Sequence, residues 1–256
     1  MAPHPSYPRT RLYIRQPLGQ GVEVQLGEKQ AHYLLQVLRR KPGDAVALFN
    51  GSDGEWQAAL LPGSRKTAVL QVETRLRPQT RPADIWLLCA PLKGGKTEWV
   101  VEKATELGVA RICPVRTQFT VADRLNESRL LAIAAEAAEQ CERLELPVID
   151  GLIPLATLLD DWQAGRRLIY GDESGAGGSN AQDLLPGFGT GSMAVLIGPE
   201  GGFSASELEL LRSLPYVSGM CLGPRVLRAD TAAIAALALV QAFCGDWEGK
   251  PAFRTP

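Results

Sequence analysis

Histidine is almost missing from this chain: His4 and His32 are the only two among 256 residues. A Ser-His-Asp triad therefore has hardly a candidate, and the numbers argue against a histidine-rich metal site, so no metal is expected. The five cysteines (Cys89, Cys113, Cys141, Cys221, Cys244) stand far apart without a Cys-x-x-Cys pair, which leaves no zinc or redox dithiol signature and suggests reduced, mostly buried thiols. Long apolar runs are missing as well. The longest, Thr231 to Phe243, contains Gln241 and falls short of the roughly 18 residues of a membrane span, so it reads as a buried helix and no membrane is expected. Met1 to Thr10 lacks the continuous apolar segment of a secretory signal, which points to the cytoplasm.

The overall basic excess of many nucleic-acid proteins is also lacking, since the net charge is only -1. Its distribution says more. Residues 1–82 carry twelve Lys/Arg against six Asp/Glu, net +6, and the remainder carries fifteen against twenty-two, net -7. A positive N-terminal module concentrates near a phosphate backbone, whereas a merely solvated basic surface would have the same composition. With 45% hydrophobic residues and a length suited to two cores, a packed two-domain protein is expected.

From Arg11 to Glu73 short alternating segments read as strands: Leu12 to Ile14, Ala45 to Phe49, Trp56 to Leu61 and Ala68 to Val72. Lys41-Pro42-Gly43-Asp44 and Asn50-Gly51-Ser52-Asp53-Gly54 supply turn chemistry between them. One helix is expected over Lys29 to Leu38, and a small β-barrel over 1–74 is the natural closure. Residues 75–82, with three arginines and two prolines, read as a linker. Beyond it, over 83–248, apolar strand-like runs alternate with helical ones, which implies an α/β domain with a mostly parallel sheet covered by helices. Gly108 sits at an expected left-handed helix end, and Ser204 with Glu207 forms a capping box.

Two segments carry chemistry. Ile197-Gly198-Pro199-Glu200-Gly201-Gly202-Phe203-Ser204 is a glycine-rich turn between an apolar strand and a capped helix, where backbone groups can approach a ligand. It is neither a P-loop nor Gly-x-Gly-x-x-Gly. Leu222-Gly223-Pro224-Arg225-Val226-Leu227-Arg228-Ala229-Asp230-Thr231 follows the next strand and leads into an alanine-rich helix. Arginines at such a corner suit the rim of a ligand pocket, or serve to cap nearby carbonyls.

These motifs, together with Lys103-Ala104-Thr105-Glu106-Leu107-Gly108, Glu136-Ala137-x-x-Gln140-x-x-Arg143 and Val37-Leu38-Arg39, run through nearly the whole chain. In that order they resemble the ribosomal RNA small subunit methyltransferase E proteins of the SPOUT class, which methylate N3 of a uridine in 16S rRNA. The resemblance implies a PUA-like β-barrel followed by a SPOUT-type knotted parallel sheet, with S-adenosylmethionine bent into a C-terminal trefoil knot and a homodimer as the working form. It also implies the small ribosomal subunit as partner. One departure stands out: Ala229-Asp230-Thr231 replaces the family's usual Thr-Glu-Thr, keeping the carboxylate on a shorter stem.

Uridine N3 must lose its proton before it can attack, and the charge then spreads onto the flanking carbonyls, so a base and a cationic stabiliser are needed. Glu200 and Asp230 are the candidate bases, and Arg225 and Arg228 the candidate stabilisers. For Glu200, bonding to amides of its own turn competes with catalysis. The cofactor is expected on Leu196, Ile197, Gly198, Pro199, Gly201, Gly202, Leu222, Gly223, Val226, Leu227 and Thr231, with Asp172 or Glu173 as partner of the ribose or the ammonium. RNA contacts are expected from Arg9, Arg11, Arg39, Arg40, Lys93 and Lys96, the two lysines reading equally as solvated loop charges. A SPOUT enzyme methylating another position, such as a tRNA ribose 2′-hydroxyl, and a non-catalytic ribosome-assembly factor remain the alternatives.

Overall fold

A computed structural model describes residues 7–63, 67–121, 124–174 and 177–249. The chain forms two compact units. The first runs to Arg81 and takes in Ala138–Leu146; the second comprises Pro82–Ala137 and the chain from Pro147 onward.

The first unit holds five strands, β1 (Arg11–Tyr13), β2 (Glu23–Gln25), β3 (Ala45–Phe49), β4 (Glu55–Leu60) and β5 (Val69–Arg77), in the order β1-β3-β4-β5-β2. The edges β1 and β2 do not pair among the described residues, so the small PUA-like barrel expected takes the form of a half-barrel. Its core of Val24, Val46, Leu48, Ala58 and Leu70 is completed by Ala31 and Leu34 from a helical segment. That segment begins as α1 (Glu28–His32) and continues as a π-helical turn, Tyr33–Val37, closed by Leu38 N donating to Tyr33 O at 2.9 Å. Gly54 sits at φ 86° where β4 starts, and a Cβ there would lie 2.3 Å from the Arg77 carbonyl oxygen. Only glycine fits.

Strand β3 is buried on both faces. One face meets the half-barrel core, while Phe49 on the other packs with Ala138 and Leu144 of the returning segment. Arg11 explains how that segment is held. Its Nε donates to Glu55 Oε1 at 2.6 Å, and its Nη groups donate to the carbonyls of Ala138, Glu139 and Arg143 at 2.8–2.9 Å. Arg77 donates to the other oxygen of Glu55 and to Glu142 O, and Tyr7 donates to Glu55 as well. The Arg11 side chain is 4% exposed and Glu55 fully buried; burial pushes the Arg11 guanidinium down to about 10. Arg11 is therefore no RNA contact but a buried tie, because each of its three guanidinium nitrogens is turned inward and already donates. Residues 75–77, expected in a linker, continue β5 for the same reason, leaving 78–82 as connector.

In the second unit the order is β6 (Ile85–Cys89), α2 (Lys96–Glu106), β7 (Arg111–Arg116), α3 (Glu127–Gln140), β8 (Val148–Ile149), β9 (Ile153–Pro154), α4 (Leu155–Asp160), β10 (Arg167–Gly171) and β11 (Gly178–Asn180). Then come α5 (Ala181–Leu184), β12 (Met193–Ile197), α6 (Ala205–Ser213), β13 (Val217–Cys221) and α7 (Ala229–Cys244). The sheet is parallel throughout, in the order β11-β13-β10-β12-β6-β7-β8, with β9 beside β7. Strand β12 is buried at every position, as expected of a strand covered by helices on both sides. Ile85, Leu87, Ile169 and Val195 face one core with Ala233, Leu237 and Val240 of α7, and Leu88, Leu168, Ala194 and Leu196 face another with Leu155 and Leu211. Gly108 ends α2 at φ 82°, and the buried Gln241 of α7 donates to Leu107 O at 2.6 Å, satisfying a carbonyl that the helix end leaves open. Among the described residues no helix is long and apolar enough to cross a membrane, and no group of three metal-binding side chains converges.

Candidate functional site

Strand β10 lies between β12 and β13, so the carboxyl ends of three parallel strands come together. Their following loops, Gly171–Ser174, Ile197–Phe203 and Leu222–Arg228, with the first turn of α7, enclose a cavity of about 540 Å³. A crevice at strand carboxyl ends is where open α/β sheets bind ligands, and this volume suits a molecule of cofactor size.

Each loop is fixed locally. The Asp172 carboxylate accepts from Ser174 N and Oγ at 3.0 and 2.6 Å and from Gly177 N at 3.2 Å, with Arg212 Nη2 3.8 Å away. Asp172 thus organises its own loop, and Glu173 is the carboxylate left exposed on the wall. The glycine turn is held by the capping box: Ser204 Oγ accepts from Glu207 N, and Glu207 Oε2 accepts from Ser204 N at 2.8 Å. Glu207 Oε1 also accepts from Gln118 N at 2.8 Å. Gly202 has φ 70°, and a Cβ there would come within 2.6 Å of Glu173 Oε1. At Gly198 a Cβ would press on the Phe203 ring at 3.2 Å, and that ring in turn stands edge-on to Tyr170 at 6.3 Å. Packing of Phe203 thus explains Gly198.

Most sequence-derived candidates meet here. Ile197, Gly198, Pro199, Gly202, Leu222, Gly223, Val226 and Leu227 line the cavity, with Glu200, Arg225 and Arg228. Three others do not. Leu196 points into the core between sheet and helices, Gly201 faces Phe119, and Thr231 is exposed on α7, its backbone N donating to Asp230 Oδ1 at 3.0 Å. Asp230 also lies off the wall, 3.5 Å from Lys96 Nζ and accepting from Thr231 N. Lys96 is therefore partnered, while Lys93 is exposed. Arg225 and Arg228 are exposed, and their guanidiniums have no hydrogen-bond or ion-pair partner among the described residues. In the first unit Arg9 and Arg39 are exposed and Arg40 is half-buried. The sequence reading missed Phe203, Met220 and Ala232 as wall residues; alternation in β13 was the signal available for Met220.

The residues fit an adenosyl-methionine ligand: apolar walls from Ile197, Met220, Leu222 and Leu227, loop backbone from two glycine turns, an open carboxylate at Glu173 and unpaired guanidiniums at the rim. Comparison with known proteins agrees. An RNA methyltransferase domain model matches residues 79–241, and an RNA methyltransferase PUA domain model matches 26–73. The Ribosomal RNA small subunit methyltransferase E of Rickettsia conorii is 31% identical over 232 residues, covering 90% of this chain and 94% of its own. That of Bacillus subtilis is 28% identical, covering 83% and 87%. A Legionella pneumophila protein solved with bound SAM superposes with a TM-score of 0.83 at 30% identity, covering 92% of this chain and 98% of its own. The Neisseria gonorrhoeae Ribosomal RNA small subunit methyltransferase E, solved with S-adenosyl methionine, gives 0.84 at 25% identity, covering 93% and 99%. The chain therefore belongs to the ribosomal RNA small subunit methyltransferase E family, in which an RNA methyltransferase domain follows a PUA-type domain.

Proposed function

We propose that this chain methylates N3 of a uridine in 16S rRNA, using S-adenosylmethionine held in the cavity at the ends of β10, β12 and β13. The observation that carries the reading is the pair of unpartnered guanidiniums, Arg225 and Arg228, on the wall of a cofactor-sized cavity. When bound, the cofactor supplies an electrophilic methyl group on a sulfonium. The chain's residues do the rest. Glu200 is exposed on the same wall and is the remaining candidate to take the N3 proton, since Asp230 lies off that wall beside Lys96. Arg228, always charged, stabilises the negative charge that spreads onto the uracil carbonyls as the N3 pair turns to attack. Walls of Ile197 and Leu227 exclude water from the encounter and align it.

The reading includes a trefoil knot, a homodimer and action on the small subunit in the cytoplasm. Strand order supports the knot, because the chain leaves β10 for the sheet edge at β11 before returning to both sides of β10. Helix α7 supports the dimer: Ala235, Leu239 and Ala242 recur along a face only partly covered, and Phe243 remains 44% exposed. Nucleoside analysis of small-subunit rRNA from cells lacking the protein tests the whole. Loss of one N3-methyluridine is expected; loss of a 2′-O-methyl nucleoside, or of none, contradicts it.

A further inference from the structure

A base that is to be methylated at N3 must bring its pairing edge to the mouth of the cavity. It then has to leave its neighbours in the RNA stack, and a surface that stacks it again recovers part of that cost. Of the aromatic rings near the cavity, Tyr170 is buried and Phe203 is packed edge-on against it. Phe119 is not used in this way. It is 44% exposed, it joins none of the hydrophobic cores, and no other aromatic ring packs on it among the described residues.

Phe119 belongs to the loop that follows β7, which leaves the same carboxyl edge of the parallel sheet as the loops around the cavity. A Cβ on Gly201 would lie 3.0 Å from Phe119 Cβ and 3.5 Å from its Cγ, so the side chain stands directly against the glycine turn. Glu200 and Gly202, on either side of Gly201, line the cavity. A side chain at 201 would push the phenyl group away from this position. The support of the ring is rigid. Thr117 is buried, its N–H donates to Thr120 Oγ1 at 2.9 Å, and its carbonyl accepts from Thr120 N at 3.2 Å. Gln118 N donates to Glu207 Oε1 at 2.8 Å, and Glu207 is itself fixed by the capping box. A single exposed apolar side chain is ordinary on a protein surface. One held on a clamped loop beside a cofactor-sized cavity, with a glycine leaving room for it, is a prepared binding surface.

We infer that Phe119 is the platform on which the target uracil stacks while its N3 is methylated beside Glu200. The inference rests on the proposed N3 methylation and adds to it the residue that holds the base.

The test uses the full chain with small ribosomal subunits from cells lacking the protein. Single-turnover methyl transfer at saturating subunits, S-adenosylmethionine affinity and thermal melting are measured for each variant. Phe119→Leu keeps an apolar group against Gly201 but removes the planar face, so transfer falls by about tenfold. Cofactor affinity and melting temperature stay at the wild-type values. Phe119→Tyr retains the ring and keeps most of the rate. Phe119→Leu transferring like wild type, Phe119→Tyr falling as far as Phe119→Leu, or cofactor affinity dropping in step with the rate overturns the inference and leaves the methylation reading intact. Wild-type protein that places no N3-methyluridine in these subunits overturns that reading and the inference together.

Discussion

In the N-terminal unit Arg11 and Arg77 are drawn inside around one buried carboxylate, and their remaining donors tie down the carbonyls of residues 138–143. In the C-terminal unit Arg225 and Arg228 stand on a cavity wall, their guanidiniums without a partner among the described residues. The same side chain serves cohesion in one place and is held ready for a ligand in the other. What decides is whether the fold supplies acceptors: both Glu55 oxygens and four backbone carbonyls in the first case, none among the described residues in the second.

The contrast can be broken most forcefully at Glu55. Glu55→Ala leaves two guanidiniums buried without their counter-charge, a change that typically costs about 3–5 kcal/mol. Chemical denaturation should show that loss, while cofactor affinity measured on the folded fraction stays unchanged. An equal change at an exposed arginine of the cavity, by contrast, should hardly move the denaturation midpoint. Gly202→Val comes next. A β-branched residue at φ 70° costs roughly 1–3 kcal/mol and displaces the Glu173 carboxylate from the wall. Calorimetry should find S-adenosylmethionine affinity reduced at least tenfold; undiminished affinity would make the glycine turn purely structural. The smallest expected effect is that of Ser204→Ala, which removes one side of the capping box and costs about 1 kcal/mol. Because Glu207 also holds Gln118, the loop through Phe119 should exchange its amide hydrogens faster than in wild type.

Much of the C-terminal site is legible in the sequence because its determinants are local. A glycine turn followed by a capping box, and an arginine corner followed by an alanine-rich helix, are each complete within about ten residues, and periodicity places them at strand ends. Arg11 is different. Nothing near it in sequence distinguishes it from Arg9, and its burial depends on Glu55 and on carbonyls more than a hundred residues away. The surroundings of Asp230 are hidden for a similar reason: its partner Lys96 comes from another helix. The half-barrel, the π-helical turn and the very short β8, β9 and β11 also leave no periodic trace, since two or three residues cannot establish a period. Glycine spacing suggested close ligand approach at Gly198, whereas the neighbour that demands glycine there is the Phe203 ring.

The central claim is that the free guanidinium of Arg228 acts on the reacting uracil. Arg228→Ala examines it in one preparation, by measuring single-turnover methyl transfer, S-adenosylmethionine affinity and oligomeric mass together. Loss of one preorganised charge-stabilising donor is typically worth about 10²–10³ in rate. A fall of that size, with affinity and mass unchanged, is the predicted result. Transfer at the wild-type rate, or a loss of affinity or mass that accounts for the whole effect, would contradict it.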